Sequence, residues 1–373
     1  MRNGSRVKKA SALGALVLAV VLPATSAAVT SASTSCTAAI PDATVTGDLL
    51  LAVTGPPDHA TAVGVHYIGG DGLPLVTRWT GTAWHRINVP VTPGAKLIQF
   101  QAATTAGART WAAGAFRNDR PEAGFVIDGR WHWTHPIDPG PEEDEFLGVA
   151  AAPDGTVWAV GKHQVGANYQ PLIERWDATG WTVVTTPSVQ GSSVLNGVAV
   201  APDGSIDAVG WSVLTGGKTV PLVERFEHNA WSVQRATGTG LLSAVAIQPD
   251  GTTLAVGWQA AGDGDHILTM QPSGQTWAPV AGATGAPGLL QAIAVGESTV
   301  AVGLTFNDGI PQPLVARFDQ GWTPIDVTGE PAPETGGDQL LGVTGELGAF
   351  RAVGIRDEVE AFASLSVAGA CTG

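Results

Sequence analysis

The side chains able to do chemistry are spread thinly along the 373 residues, and many stand just after a recurring glycine. His66 and Tyr67 follow Gly64, Arg117 follows Gly114, His163 follows Gly161, Trp211 follows Gly210, Trp258 follows Gly257 and Arg356 follows Gly354. Asp263, Asp265 and His266 sit within four positions. Aromatics mixed with carboxylates, amides and arginines suit a carbohydrate or peptide ligand better than a phosphate. Asp263-Gly264-Asp265 resembles the opening of a calcium loop, but the later carboxylates and the closing Glu are missing, so it reads as an acidic turn. Gly216-Gly217-Lys218-Thr219 imitates half of a phosphate-binding loop without its leading glycine. There is no nucleophile elbow, paired-cysteine zinc motif or glycine-rich dinucleotide turn, so no metal, cofactor or catalytic residue is assigned.

Composition narrows the elements that position these groups. With 49 Gly and 25 Pro, long helices are excluded, because both residues break helix interiors. The formal charge of −14, from 19 basic and 33 acidic residues, argues against a nucleic-acid groove. Residues 1–28 read as a secretory leader: Arg2, Arg6, Lys8 and Lys9 precede an apolar stretch from Ala12 to Leu22, then small residues around Ala27 and Ala28. That stretch is too short for a membrane span. Residues 29–35 follow as a short linker. The expectation is a secreted, extracellular, acidic monomer with no membrane insertion.

Beyond residue 48 the chain repeats. Ala-Val-Gly or its near variant ends at Gly64, Gly114, Gly161, Gly210, Gly257, Gly303 and Gly354, spaced 50, 47, 49, 47, 46 and 51 residues apart. Trp84, Trp131, Trp181, Trp231, Trp277 and Trp322 recur at 47, 50, 50, 46 and 45. Within one repeat, the runs 146–152, 156–161, 171–176 and 181–186 read as four short strands, with Pro153-Asp154-Gly155 and Ala178-Thr179-Gly180 as turns. A tandem four-stranded meander of this length predicts an all-β, seven-bladed β-propeller rather than an open solenoid. The blades fall at 49–95, 96–145, 146–194, 195–240, 241–288, 289–338, and 339–373 completed by 36–48, making 36–373 one domain. Small residues at Ala52, Gly148, Gly197, Ala244, Ala292 and Gly342 suit innermost strands crowding an axis, and the second blade departs from the pattern at Gln99-Phe100-Gln101.

The last repeat ends before its fourth strand, while residues 36–48 are spare at the head, so the head is expected to supply the outer strand of the last blade. Cys371 then falls beside Cys36, and a Cys36–Cys371 disulfide would lock the closure. The alternative is two free thiols.

Leu147-Gly148-Val149-Ala150, Trp158 to Gly161, Leu172 to Trp176 and Trp181 match the blade of a known group. The chain resembles exported bacterial β-propeller proteins that read L-x-G-V-A, W-A-V-G, L-I-E-x-W and G-x-W. The resemblance covers nearly the whole chain after the leader and implies the fold. Its motifs are packing residues, and it carries over no catalytic residue.

On a propeller the first-to-second and third-to-fourth turns share one face, here regular and plain. The second-to-third and blade-to-blade loops share the other and are long and dissimilar, which places ligand binding at their end of the central channel. Two functions are therefore expected. One is a non-catalytic module binding an extracellular glycan, peptide or protein through His66, Tyr67, Arg117, His163, Trp211, Trp258, Asp263, Asp265, His266 and Arg356. The other is a secreted hydrolase or lyase acting on a carbohydrate, with a site assembled from several blades.

Overall fold

In the computed structural model the described residues are 35–39, 46–91, 97–117, 119–189, 191–328, 337–346, 348–358 and 361–372. The leader, nearly all of the linker and Asn118 lie outside them. The chain is built of antiparallel four-stranded meanders; the fourth and fifth join edge to edge into eight strands, and the last sheet has five, in the order Val327–Thr328, Ser35–Ala39, Ala361–Thr372, Ala349–Glu358 and Asp338–Glu346. First strands are Asp48–Thr54, Ile98–Ala106, Asp144–Ala151, Ser192–Val200, Leu241–Ile247, Leu289–Val295 and Asp338–Glu346. Each packs against the first strand of the next sheet, and the last of them also touches the first. No helix among the described residues is long and apolar enough to cross a membrane.

One irregularity explains two of the sequence columns. Every first strand carries a bulge directly after a buried Leu or Phe, at Leu50/Ala52, Phe100/Ala102, Phe146/Gly148, Leu195/Gly197, Leu242/Ala244, Leu290/Ala292 and Leu340/Gly342. An inserted residue kinks the strand and pushes one carbonyl toward its partner. A Cβ on Gly161 would overlap the Glu145 carbonyl oxygen, and Gly64, Gly114, Gly210, Gly257, Gly303 and Gly354 meet first-strand carbonyls in the same way. The glycine column therefore exists to admit the bulge. Gly161→Ala is expected to lower stability by about 1–3 kcal/mol through overpacking, read as an earlier urea midpoint. An unchanged midpoint would contradict this role.

The small-residue column has a matching cause. A Cβ on Gly148 would lie 3.0 Å from the Gly197 Cα, one on Gly197 would lie 3.0 Å from the Ala244 Cα, and one on Gly342 would lie 2.9 Å from the Ala52 Cα. The second sheet obeys this rule after all, with Ala102 after its bulge, so the departure expected at Gln99-Phe100-Gln101 is corrected.

Between sheets the core is aromatic and aliphatic. Trp131, Trp181, Trp231 and Trp277 are buried. Trp111 faces Trp176 and Trp181 of the following sheet at 5.6 and 6.1 Å, and Trp158 faces Phe226 and Trp231 at 5.3 and 5.8 Å. Between the last sheet and the first, Arg351 takes the equivalent place. Its guanidinium lies 3.9 Å from the Trp79 ring centroid, and its Nε donates to the Pro57 carbonyl at 2.9 Å.

The two ends of the chain meet as expected, over a shorter strand. Ser35–Ala39 pairs antiparallel with Ala361–Thr372 and in parallel with Val327–Thr328, and a Cys36–Cys371 disulfide spans the antiparallel pair. Ala38 is buried in a cluster with Leu340, Val343, Phe350 and Leu365. The plain turns are Asx turns. Asp154, Asp203 and Asp250 accept backbone N–H bonds at 2.8–2.9 Å from the residue two ahead, and Gly155, Gly204 and Gly251 take φ near +85°.

Candidate functional site

The residues displaced by the bulges are Leu51, Gln101, Leu147, Asn196, Ser243, Gln291 and Leu341. Five of them, Gln101, Leu147, Asn196, Ser243 and Gln291, line one cavity of about 350 Å³ together with Leu241, Trp211 and Trp258. The lining comes from the first strands of five successive sheets and from the second-strand ends that carry the two tryptophans. It therefore lies at the end where the variable loops emerge. Asn196 is held by donating from Nδ2 to the Leu242 carbonyl at 2.8 Å. Two indoles, three amides, a hydroxyl and two leucines make the lining, and none of these groups titrates near neutral pH. Such a surface can stack on an apolar ring face and exchange hydrogen bonds with hydroxyls or amides. It offers no proton donor or acceptor pair for general acid–base chemistry.

Of the residues singled out from sequence, only Trp211 and Trp258 meet in this cavity. His66 Nδ1 lies 2.6 Å from Asp48 Oδ1, which also accepts from Arg86 Nη2 at 2.6 Å. His163 Nδ1 lies 2.5 Å from Asp144 Oδ1. The Arg356 Nε and Nη2 atoms donate to the two carboxylate oxygens of Asp338 at 3.1 and 2.9 Å. These three pairs occupy equivalent places in three sheets, each joining the start of a first strand to the end of its second. In the fourth sheet the Ser193 hydroxyl donates to Ser212 Oγ at 2.9 Å in the same position. They are cross-strand staples. Burial raises the Asp144 carboxyl above its ordinary value against the opposing pull of His163.

Sequence reading missed Asp48, Asp144, Asp338 and the bulge residues. For the aspartates a signal existed: each stands two positions before the buried Leu or Phe of the first strand, and 18 or 19 before its basic partner. The remaining candidates stay apart. The guanidinium of Arg117 lies over the Phe116 ring, 5.3 Å from its centroid, Tyr67 is exposed, and Asp263 pairs with His266 at 3.0 Å across the tip of one hairpin. Asp265 is in that hairpin, its backbone carbonyl accepting from the Gly288 N–H at 2.9 Å. Among the described residues no group of three or more His, Cys, Asp or Glu side chains is placed to hold a metal ion.

Carboxylates that titrate near neutrality sit elsewhere. Burial pushes Glu174 and Glu224 up to about 7, and both are shut inside sheets at no exposure. The Oε2 of Glu174 accepts the Ile137 N–H at 3.0 Å, which tethers the segment crossing between the second and third sheets. Among the described residues neither oxygen of Glu224 has a hydrogen-bond partner.

No protein-family model matches the sequence, and no curated protein is recognisably similar. Solved structures are similar in fold. A polysaccharide lyase, an ulvan lyase bound to a GlcA(1-4)Rha3S repeat, aligns with a TM-score of 0.57 at 8% identity, over 86% of this chain and 94% of its own. Sqt1 from Chaetomium thermophilum aligns at 0.51 and 13%, over 84% and 81%, and a protein of unknown function from Dyadobacter fermentans at 0.51 and 8%, over 89% and 97%. At these identities the likeness extends to architecture alone: an all-β chain of four-stranded antiparallel sheets, of the β-propeller kind.

Proposed function

We propose that this chain is an exported, non-catalytic propeller of seven blades, closed by its head strand, that binds an uncharged extracellular glycan at the variable-loop mouth of its channel. The observation that carries the reading is the lining of that mouth. Trp211 and Trp258 offer ring faces, Gln101, Asn196 and Gln291 offer paired donors and acceptors, and no carboxylate or histidine is present to act as acid, base or nucleophile. His66, His163 and Arg356 are instead committed to cross-strand staples, and Glu174 and Glu224 are buried within sheets. The leader and the disulfide support an oxidising, extracellular location.

The test is a glycan array and peptidoglycan pull-down of the mature protein, run beside a broad hydrolase and lyase screen. Retention of neutral oligosaccharides without turnover is expected. Trp258→Ala should weaken retention by about 2 kcal/mol, roughly thirtyfold, as expected when a stacked indole is truncated, with melting temperature nearly unchanged. Turnover lost on substituting Asp263, Asp265 or His266 would overturn the reading.

A further inference from the structure

At the opposite end of the sheets, where the plain turns lie, a second and larger cavity of about 1190 Å³ opens between the fourth and fifth sheets. It lies beside a position that varies from sheet to sheet, held by Thr61, Leu254, Val300 and Arg351 in four of them. Three residues before the recurring glycine stand Trp111 and Trp158, whose indoles plug the junctions to the next sheet. There they face the aromatic pairs Trp176/Trp181 and Phe226/Trp231. In the fourth sheet this position is Asp207, and the facing pair is Pro272 and Trp277. Compared with the two junctions before it, this one holds one aromatic ring in place of three.

Two residues that line the cavity, Arg225 and Thr253, are the partners of Asp207, which does not itself line it. Asp207 is 2% exposed, accepts from Arg225 Nη1 at 3.0 and 3.1 Å, and accepts from Thr253 Oγ1 of the fifth sheet at 3.0 Å. Around it the rim carries Asp203, Glu227 and Asp250 against Arg235. Arg225 pairs with Asp207 and also with Glu227, at 3.6 Å; Asp203, Asp207, Glu227 and Asp250 outnumber Arg225 and Arg235, so the opening is net acidic. Along one side runs Ala230–Ala236, which pairs in parallel with Thr276–Pro279 only at Arg235–Thr276 and Ala236–Trp277. Val233 and Gln234 line the cavity beyond that point, and Val233 is exposed.

We infer that this junction is a binding slot for an aromatic side chain of a basic, extended peptide. The ring takes the volume that Trp158 fills one junction earlier, and flanking cationic side chains meet Asp203, Glu227 and Asp250. The slot is independent of the channel mouth and of the glycan reading.

The test uses the mature protein and the peptide amides Lys-Trp-Lys and Glu-Trp-Glu in titration calorimetry. Lys-Trp-Lys is expected to bind at least tenfold more tightly than Glu-Trp-Glu. Asp207→Trp should abolish that binding and raise the melting temperature, because the new indole fills the slot and Arg225 lies over it as Arg175 lies over Trp158, 5.9 Å from the ring centroid. Pro272→Phe closes the slot from the other wall and should also abolish binding, so the test survives if one variant misfolds. Failure of Lys-Trp-Lys to bind, binding unchanged in a folded variant, or occupation of the slot by a neutral oligosaccharide instead would each overturn the inference.

Discussion

Replacing Cys36 and Cys371 together by serine is expected to lower stability by about 2–5 kcal/mol, the usual consequence of removing a native disulfide. The reason is local as well as entropic. The head strand Ser35–Ala39 is five residues long, and what it completes is the outer edge of the last sheet. Its deeply buried side chain, Ala38, is small, and Cys36 and Cys371 pack against the same cluster. Pairing on both sides contributes hydrogen bonds, but so short a strand forms few of them. With the crosslink cut, the 361–372 strand is left as an exposed edge whenever the head detaches, and an unpaired edge is open to proteolysis and to pairing with other chains. The check is a melting curve of the double serine variant beside the parent, with limited proteolysis mapping the first cuts. A drop of several degrees with early cleavage near residues 35–39 is expected, whereas an identical melt would show that strand pairing alone holds the ends.

Stability is expected to fall as pH rises from about 4.5 to 7. Glu174 and Glu224 have folded values pushed up to about 7 by burial, above the ordinary glutamate value of 4.5. Below 4.5 both folded and unfolded chains carry the protons, and nothing is lost. Between 4.5 and 7 the folded chain holds protons that the unfolded chain has released, so each rise in pH favours unfolding. Above 7 the loss is complete. At 1.36 kcal/mol per tenfold change in proton affinity, the full effect is on the order of 3 kcal/mol for each group. Burial also raises Glu122, Glu145 and Asp207 and adds the same sign. The Asx-turn carboxylates Asp154, Asp203 and Asp250 are lowered by hydrogen bonds from the residue two ahead, and they act oppositely, in a more acidic window. Urea denaturation across pH 4.5 to 8 checks the sign. Glu224→Gln, which keeps the shape and discards the charge, should remove much of the slope, while a parent protein that grows more stable toward pH 7 would contradict the account.

The sequence revealed the repeat because packing residues are periodic: a glycine that admits a bulge and a tryptophan between sheets must recur wherever the sheet recurs. The head-to-tail disulfide was legible for a related reason, since a missing fourth strand at one end matched a spare segment at the other. The bulges were not legible. One added residue breaks the two-residue alternation of a strand, so the bulge leaves no periodic trace. The staples also escaped, and with them the role of His66, His163 and Arg356, because each pairs with an aspartate across a strand turn. Trp211 and Trp258 were found as loop-end aromatics, but the amides that join them at the axis needed the bulge geometry. The junction at Asp207 left no mark in the sequence, because the position varies from sheet to sheet and is aromatic only at Trp111 and Trp158.

The proposed ligand site is tested most directly by a crystal structure of the mature protein soaked with a neutral oligosaccharide retained in the array. A pyranose ring held against Trp211 and Trp258, with hydroxyls bonded to Gln101, Asn196 or Gln291, is the predicted result. Sugar bound away from that mouth, beside a pair of exposed carboxylates, would contradict it.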